Sequence, residues 1–248
     1  NATAYATSGN GTLASPWVTA GSNPIQAAYN ALPPPGVGGG GIIRLQCGGV
    51  YDLGSADGAV TIDAAVAGTY IAGVAIEGDC PGNQAIGTHA SKNDNGAILL
   101  YSGTGAAFKV GSFTGSTYWT ENIRLRGFKL RQNGTAGQGI GLLLRLFRWG
   151  TVEDVTITDF STGIALASVS DFNSFHRIRL NNNRSRGVEV GYTTGLPNPT
   201  GQCNSNRFLE ADIKNSATGS GFSNYGIYIH TNSINNVIRD SEFHNYDT

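Results

Sequence analysis

Short phrases in which apolar and polar residues alternate fill the second half of the chain. Gly139-Ile-Gly-Leu, Gly163-Ile-Ala-Leu, Gly187-Val-Glu-Val and Gly226-Ile-Tyr-Ile repeat one phrase, starting 24, 24 and 39 residues apart. Two insertions rich in Gly, Asn, Pro and Ser, at 192–203 and 215–224, lengthen the last interval. A second phrase alternates with the first: Ile123-Arg-Leu-Arg-Gly-Phe-Lys-Leu, Val152-Glu-Asp-Val-Thr-Ile, Phe175-His-Arg-Ile-Arg-Leu, Phe208-Leu-Glu-Ala-Asp-Ile and Val237-Ile-Arg-Asp-Ser-Glu-Phe. The pairs Ile164/Leu166, Val188/Val190 and Ile227/Ile229 have period two, and each phrase is too short for a helix. A lone strand cannot bury its apolar face. A fixed period in this range predicts stacked units sharing one core, with two or three short parallel strands per unit. The fold class is therefore all-β, a single-stranded right-handed parallel β-helix.

The N-terminal half reads differently. Residues 1–23 are polar and rich in turn formers. Pro24-Ile-Gln-Ala-Ala-Tyr-Asn-Ala-Leu is the best helical segment, with Asn23 as N-cap, Pro24 as first helical residue, and Ile25, Ala28, Tyr29 and Leu32 on one face. Three prolines from Pro33 end it. Gly41-Ile-Ile-Arg-Leu, Gly49-Val-Tyr-Asp-Leu, the stretch from Thr69 to Gly78, Gly96-Ala-Ile-Leu-Leu-Tyr and Gly105-Ala-Ala-Phe-Lys-Val read as strands, with a long polar loop over 79–95. The Gly-rich run before Gly41 lacks the Lys-Ser/Thr of a phosphate loop, and a strand rather than a helix follows it. The domain boundaries are 1–40 for a lead-in segment with its capping helix and 41–248 for the solenoid.

These phrases, with Tyr5-Ala-Thr-Ser-Gly-Asn-Gly-Thr-Leu-Ala-Ser-Pro-Trp and the two strands from Gly41 and Gly49, resemble the pectate-lyase-like right-handed parallel β-helix superfamily. That superfamily includes polysaccharide lyases, glycosidases and phage tailspikes. The resemblance spans most of the chain and is architectural. It implies that the Pro24 helix covers the open N-terminal end of the coil. It also implies an extracellular protein (secreted, cell-surface or virion-borne) whose partner is a polysaccharide, and a homotrimer or fibre assembly of the tailspike kind. The intact signature motifs of polygalacturonases and of calcium-dependent pectate lyases are absent, so function has to be argued from a site.

Composition narrows the picture. Glycine is abundant at 36 residues, charged residues make up only 13%, and methionine is missing, which suits many tight turns. A net charge of −1 provides no general attraction to nucleic acid, and no apolar run is long enough for membrane insertion. The chain starts at Asn1 without a signal peptide and reads as a processed or truncated product; its end lacks a cap, which predicts a longer polypeptide or docking onto another chain. Cys47 and Cys80 follow successive strand phrases and form either a disulfide one coil apart or two buried thiols. The third cysteine is Cys203; without a CxxC pair no zinc site is expected, and no metal or cofactor is required. Asn1, Asn10, Asn133 and Asn183 each open a glycosylation sequon.

Stacking also predicts which side chains line up. With Leu130, Ile157, Leu180, Ile213 and Phe243 as equivalent inward positions, the outward row is Lys129, Thr156, Arg179, Asp212 and Glu242. Arg177, Glu210 and Asp240 flank it, and His176 lies beside it. Asp212 and Glu242, one coil apart, are candidates for the acid and the base or nucleophile of glycoside hydrolysis, with Arg179 as anion clamp. Alternatively Arg177, Arg179 and Lys129 neutralise a uronate while a base removes its C5 proton, a lyase mechanism. Glu189, Tyr228 and His230 form a second outward group next to the insertions, and His230 with Glu189 is a candidate acid–base pair. Glu210, Asp240, Tyr228 and His230 join Arg177 and Lys129 as candidate substrate contacts. Trp119, Trp149, Tyr118 and Tyr228 are candidates for stacking on sugar rings, and the basic run from Arg124 to Arg148 is a candidate surface for an anionic glycan. The competing reading is a non-enzymatic fibre, adhesin or glycan-binding stalk, whose outward charges are solvated ladders that hold the strands in register.

Overall fold

The computed structural model describes residues 2–6, 8–9, 14–18, 23–33, 40–68, 70–80, 96–113, 118–192, 202–215 and 225–245. The Gly-rich run before residue 40, most of the 79–95 loop and most of both insertions lie outside them, as do Asn1 and Asn10 of two sequons and the last three residues. No described helix is long and apolar enough to cross a membrane.

The helix forms at Pro24–Asn30, and the Asn23 side chain accepts hydrogen bonds from the Ile25 and Gln26 N–H groups. This is the N-cap arrangement that satisfies orphan amides of a first turn. Ile25 and Ala28 are buried against the first strands. Gln26 does more than face solvent. Its Oε1 accepts from the Thr61 N–H at 2.6 Å and its Nε2 donates to the Thr61 carbonyl at 3.3 Å. One amide side chain thus stands where a neighbouring strand would be and blunts the edge of Val60–Asp63.

The strands build three long sheets and one short one, every pairing parallel. The first sheet stacks Gly41–Leu45, Val74–Gly78, Arg124–Arg126, Thr151–Glu153, Ser174–His176, Arg207–Leu209 and Val237–Arg239. The second stacks Val50–Asp52, Ala97–Tyr101, Phe128–Gln132, Thr156–Thr158, Arg179–Asn181, Asp212–Asn215 and Glu242–Asn245. The third runs from Val60–Asp63 through Ala106–Gly111, Ile140–Arg145, Thr162–Ala167 and Arg186–Tyr192 to Tyr225–Ile229. Ile71–Ala72, Thr120–Glu121 and Phe147–Arg148 make the short sheet. The chain visits the sheets in the same order on each turn, which is a parallel β-helix.

The inward columns are continuous. Ile43, Ile76, Leu125, Val152, Phe175 and Phe208 are in register along the first sheet, and Tyr51, Leu99, Leu130, Ile157, Leu180 and Ile213 along the second. All are buried, and burial of one such side chain contributes about 1.5–3 kcal/mol. Each second phrase of the sequence is not one strand but two, bent around a corner. The corner residues Asp154, Arg177, Glu210 and Asp240 have φ between 50° and 53°, and the first three donate their N–H to the carbonyl one turn on.

A second corner is held from inside by asparagine. The Asn173 Oδ1 accepts from Gly150 N–H, Asn206 Oδ1 from Asn173, and Asn236 Oδ1 from Asn206, at 2.8, 3.2 and 3.0 Å. Their Nδ2 groups donate to the Phe147, Ser170 and Cys203 carbonyls, each at 2.9 Å. Asn183 is likewise internal, bonded to Phe160 N–H and Ile157 carbonyl, so its sequon is not a surface site. Cys47 and Cys80 are joined by a disulfide across one turn. Cys203 is free and buried, and burial pushes its thiol up to about 12.

Candidate functional site

The outward row of the second sheet has the expected register: Lys129, Thr156, Arg179, Asp212 and Glu242 pair in succession. Three of them meet. Arg179 Nε lies 3.7 Å from an Asp212 carboxylate oxygen, and Lys214 Nζ reaches the same oxygen at 3.4 Å. Glu242 accepts a 3.0 Å contact from His244 Nε2. Single ligand atoms of Asp212, Glu242 and His244 all lie within 4.8 Å of one another, and this trio is the group among the described residues that could hold a metal ion. The positive charges of Arg179 and Lys214 compete with a cation for Asp212. His244, two residues beyond Glu242 on the same strand face, was not singled out from the sequence, although period two places it there.

Lys129 does not join this cluster. It is buried and three register steps from Asp212, about 14 Å at the usual strand spacing. Arg177, Glu210 and Asp240 sit at the corner before the row. Arg177 donates to Asp154 from Nε at 2.7 Å and to both Glu153 and Asp154 from Nη2, and its Nη1 contacts the His176 ring at 3.0 Å. The hydrogen bond from Arg177 holds the Asp154 carboxyl below the usual range despite the opposing effect of burial. Glu210 reaches His176 Nε2 at 3.4 Å, while Asp240 is exposed. Arg177 is therefore engaged by two carboxylates of the preceding turn.

Acids from neighbouring turns also partner the basic run. Arg44, Glu77 and Arg124 form one ladder at 2.9 and 3.0 Å, Arg126 lies 3.6 Å from Glu153, and Arg131 3.5 Å from Asp159. What is a run of one sign along the chain alternates in space.

Asp212 belongs to the second sheet, whereas Tyr228 lies on the last strand of the third sheet and His230 directly follows that strand. There the outward column reads Leu143, Ala165, Glu189, Tyr228. Leu143 and Ala165 are buried under Phe113, Ile140 and Tyr192 in a small outer apolar cluster. Glu189, only 2% exposed, is ion-paired to Arg186 and accepts from His230 Nε2 at 2.9 Å. The Arg186 guanidinium stacks 4.8 Å from the Tyr228 ring centroid, and Tyr228 meets the His230 ring edge-on at 4.8 Å. The candidates thus divide into an open carboxylate pair, a corner network and a shielded His–Glu pair.

No family model matches the chain, and no curated protein does. Among solved structures the chain is similar to ORF18 of Geobacillus virus E2, at 13% identity and a TM-score of 0.43, over 90% of this chain and 56% of that one. The chain thus spans little more than half of that protein's length. The fold rests on the strand register.

Proposed function

We propose that this chain recognises and depolymerises a polysaccharide outside the cell. The observation that supports this reading is the Asp212–Glu242 pair: two carboxylates on adjacent turns of one sheet face, with oxygens within 4.8 Å. That separation lies on the side of the retaining mechanism, in which one carboxylate attacks the anomeric carbon and the other protonates the leaving oxygen. Asp212, with Arg179 and Lys214 beside it, is the nucleophile. Glu242 delivers the proton and then takes one from the incoming water, with His244 fixing its carboxyl. The Cys47–Cys80 bridge supports an oxidising, extracellular setting.

The test is a digest of capsular, pectic and other acidic glycans, read by product mass and by absorbance of unsaturated ends. Products heavier by one water, lost about 10³-fold in Asp212→Asn or Glu242→Gln, bear the reading out. Unsaturated products instead move the chemistry to a lyase built on Arg177, Arg179 and His176. No product from intact protein leaves the chain as a fibre or glycan-binding stalk.

A further inference from the structure

The corner that follows the short sheet repeats one backbone position on every turn. Gly73, Asn122, Trp149, Phe172, Ser205 and Asn235 all have positive φ, between 50° and 71°. Asn122, Trp149, Phe172 and Ser205 each donate an N–H to the carbonyl of the next turn at this corner. Left-handed backbone favours Gly, Asn and Asp; an aromatic side chain there is disfavoured and persists where the surroundings or a function demand it. Packing does not demand it here. Trp149 and Phe172 are 51% and 54% exposed, and their rings lie near-parallel at 25° with centroids 6.5 Å apart.

The same edge carries aromatics on the two preceding turns. Ile71 and Thr120 are in register, so Tyr70 and Trp119 stand one place before them on successive turns. Tyr70 and Tyr118 are exposed and meet edge-on at 5.8 Å, and the Arg148 guanidinium lies 3.2 Å from the Trp119 ring centroid. Aromatic side chains therefore occur on four successive turns in two neighbouring columns, Tyr70 and Trp119 just before the short strands and Trp149 and Phe172 at the corner just after them. This edge is built from the short sheet and the first-sheet corner, not from the Asp212–Glu242 row.

We propose that this rail is a binding site for an extended neutral polysaccharide lying along the coil axis, with Trp149 and Phe172 at its centre. The electron-rich face of an aromatic ring attracts the C–H face of a hexopyranose. With centroids 6.5 Å apart, the Trp149 and Phe172 rings can be touched by neighbouring units of one extended chain. Asn122, Ser205 and Asn235 continue the same column and offer hydrogen-bonding groups to sugar hydroxyls. Charge supplies no preference for an acidic glycan: Arg148 is covered by its stacking on Trp119 and faces Glu121 and Asp171 across the register. The site acts whether or not the carboxylate pair cleaves.

The experiment uses the whole chain, with affinity electrophoresis and calorimetry against soluble β-glucan, galactomannan and xylan, and polygalacturonate as charged control. Trp149→Asn combined with Phe172→Asn is the informative variant, because asparagine suits the backbone that the aromatics occupy. The expected result is retardation of the wild type and of Asp212→Asn by at least one neutral polymer. The double variant should lose at least tenfold in affinity, with a melting temperature equal to or above that of the wild type. The proposal is overturned if no neutral polymer binds the wild type or if the double variant binds as tightly. It is equally overturned if the variant melts several degrees lower, or if sedimentation shows it turning an oligomer into a monomer. Intact binding without cleavage would instead count against the Asp212–Glu242 reading alone.

Discussion

The outward faces of the second and third sheets are built by the same stacking rule and have opposite chemistry. On the third sheet Glu189 follows Leu143 and Ala165 in an outward column that apolar neighbours have closed over. A carboxylate there must be paired, and Arg186 and His230 pair it. On the second sheet the Asp212 and Glu242 side chains are 23% and 75% exposed, and the cations Arg179 and Lys214 sit 3.7 and 3.4 Å from Asp212. Ladder register decides which residues become neighbours. What covers the face decides whether their charges support structure or are available to a ligand.

The sharpest way to break this contrast is Glu189→Ala. It leaves Arg186 without its carboxylate and His230 without its acceptor in a shielded place. We expect a loss of about 3 kcal/mol in urea unfolding, the scale for breaking a buried ion pair. Replacing both Glu189 and Arg186 by leucine should recover much of that loss, because the outer cluster beside them is apolar. A loss under about 1 kcal/mol for Glu189→Ala would place this carboxylate among ordinary surface pairs.

Between the two extremes lies the corner carboxylate Asp154, bonded to Arg177. Arg177→Asn keeps a residue that tolerates the left-handed backbone and removes the pairing. Because Arg177 is itself more than a third exposed, solvent screening reduces the expected loss to about 1 kcal/mol at neutral pH. The sign with pH follows from the lowered Asp154 value. Its contribution is complete above the unfolded carboxyl value near 3.9 and disappears as the pH falls through the lower folded value. The gap between variant and wild type should therefore close below about pH 4. A gap that stays constant down to the acid transition would show that the backbone, not the ion pair, carries the effect.

These cases show what a reader of the sequence could and could not reach. The register of the second sheet from Leu130 to Phe243 was legible, because an inward apolar residue recurs on every turn of a parallel stack. So was the Pro24 helix, whose cap and proline are local signals. The corner inside Val152-Glu-Asp-Val-Thr-Ile left only a slight trace: two consecutive polar residues, Glu153 and Asp154, interrupt the alternation where the backbone turns at φ 53°. Arg177 and Glu210 in left-handed positions have no propensity to announce them. The internal asparagines did leave a trace: Asn173-Ser-Phe, Asn206-Arg-Phe and Asn236-Val-Ile each put the amide two residues before an inward apolar residue. The cover over Leu143 and Ala165 includes Phe113, which lies outside the repeated strand phrases and so has no period to announce it.

The smallest expected change in stability belongs to the residues with the largest expected role in catalysis. Asp212→Asn keeps its shape and loses contacts of 3.4 and 3.7 Å to two cations at a partly exposed site; Glu242→Gln loses one exposed contact to His244. Each should alter unfolding free energy by less than about 1 kcal/mol. Inactivity from a damaged fold and inactivity from a missing carboxylate are thereby separable, which is not so for Glu189. If Asp212→Asn unfolds like the wild type and has lost its hydrolytic products, the open face carries the chemistry. If it costs as much stability as Glu189→Ala, Asp212 is a strut of the second sheet, and the contrast between the two faces collapses.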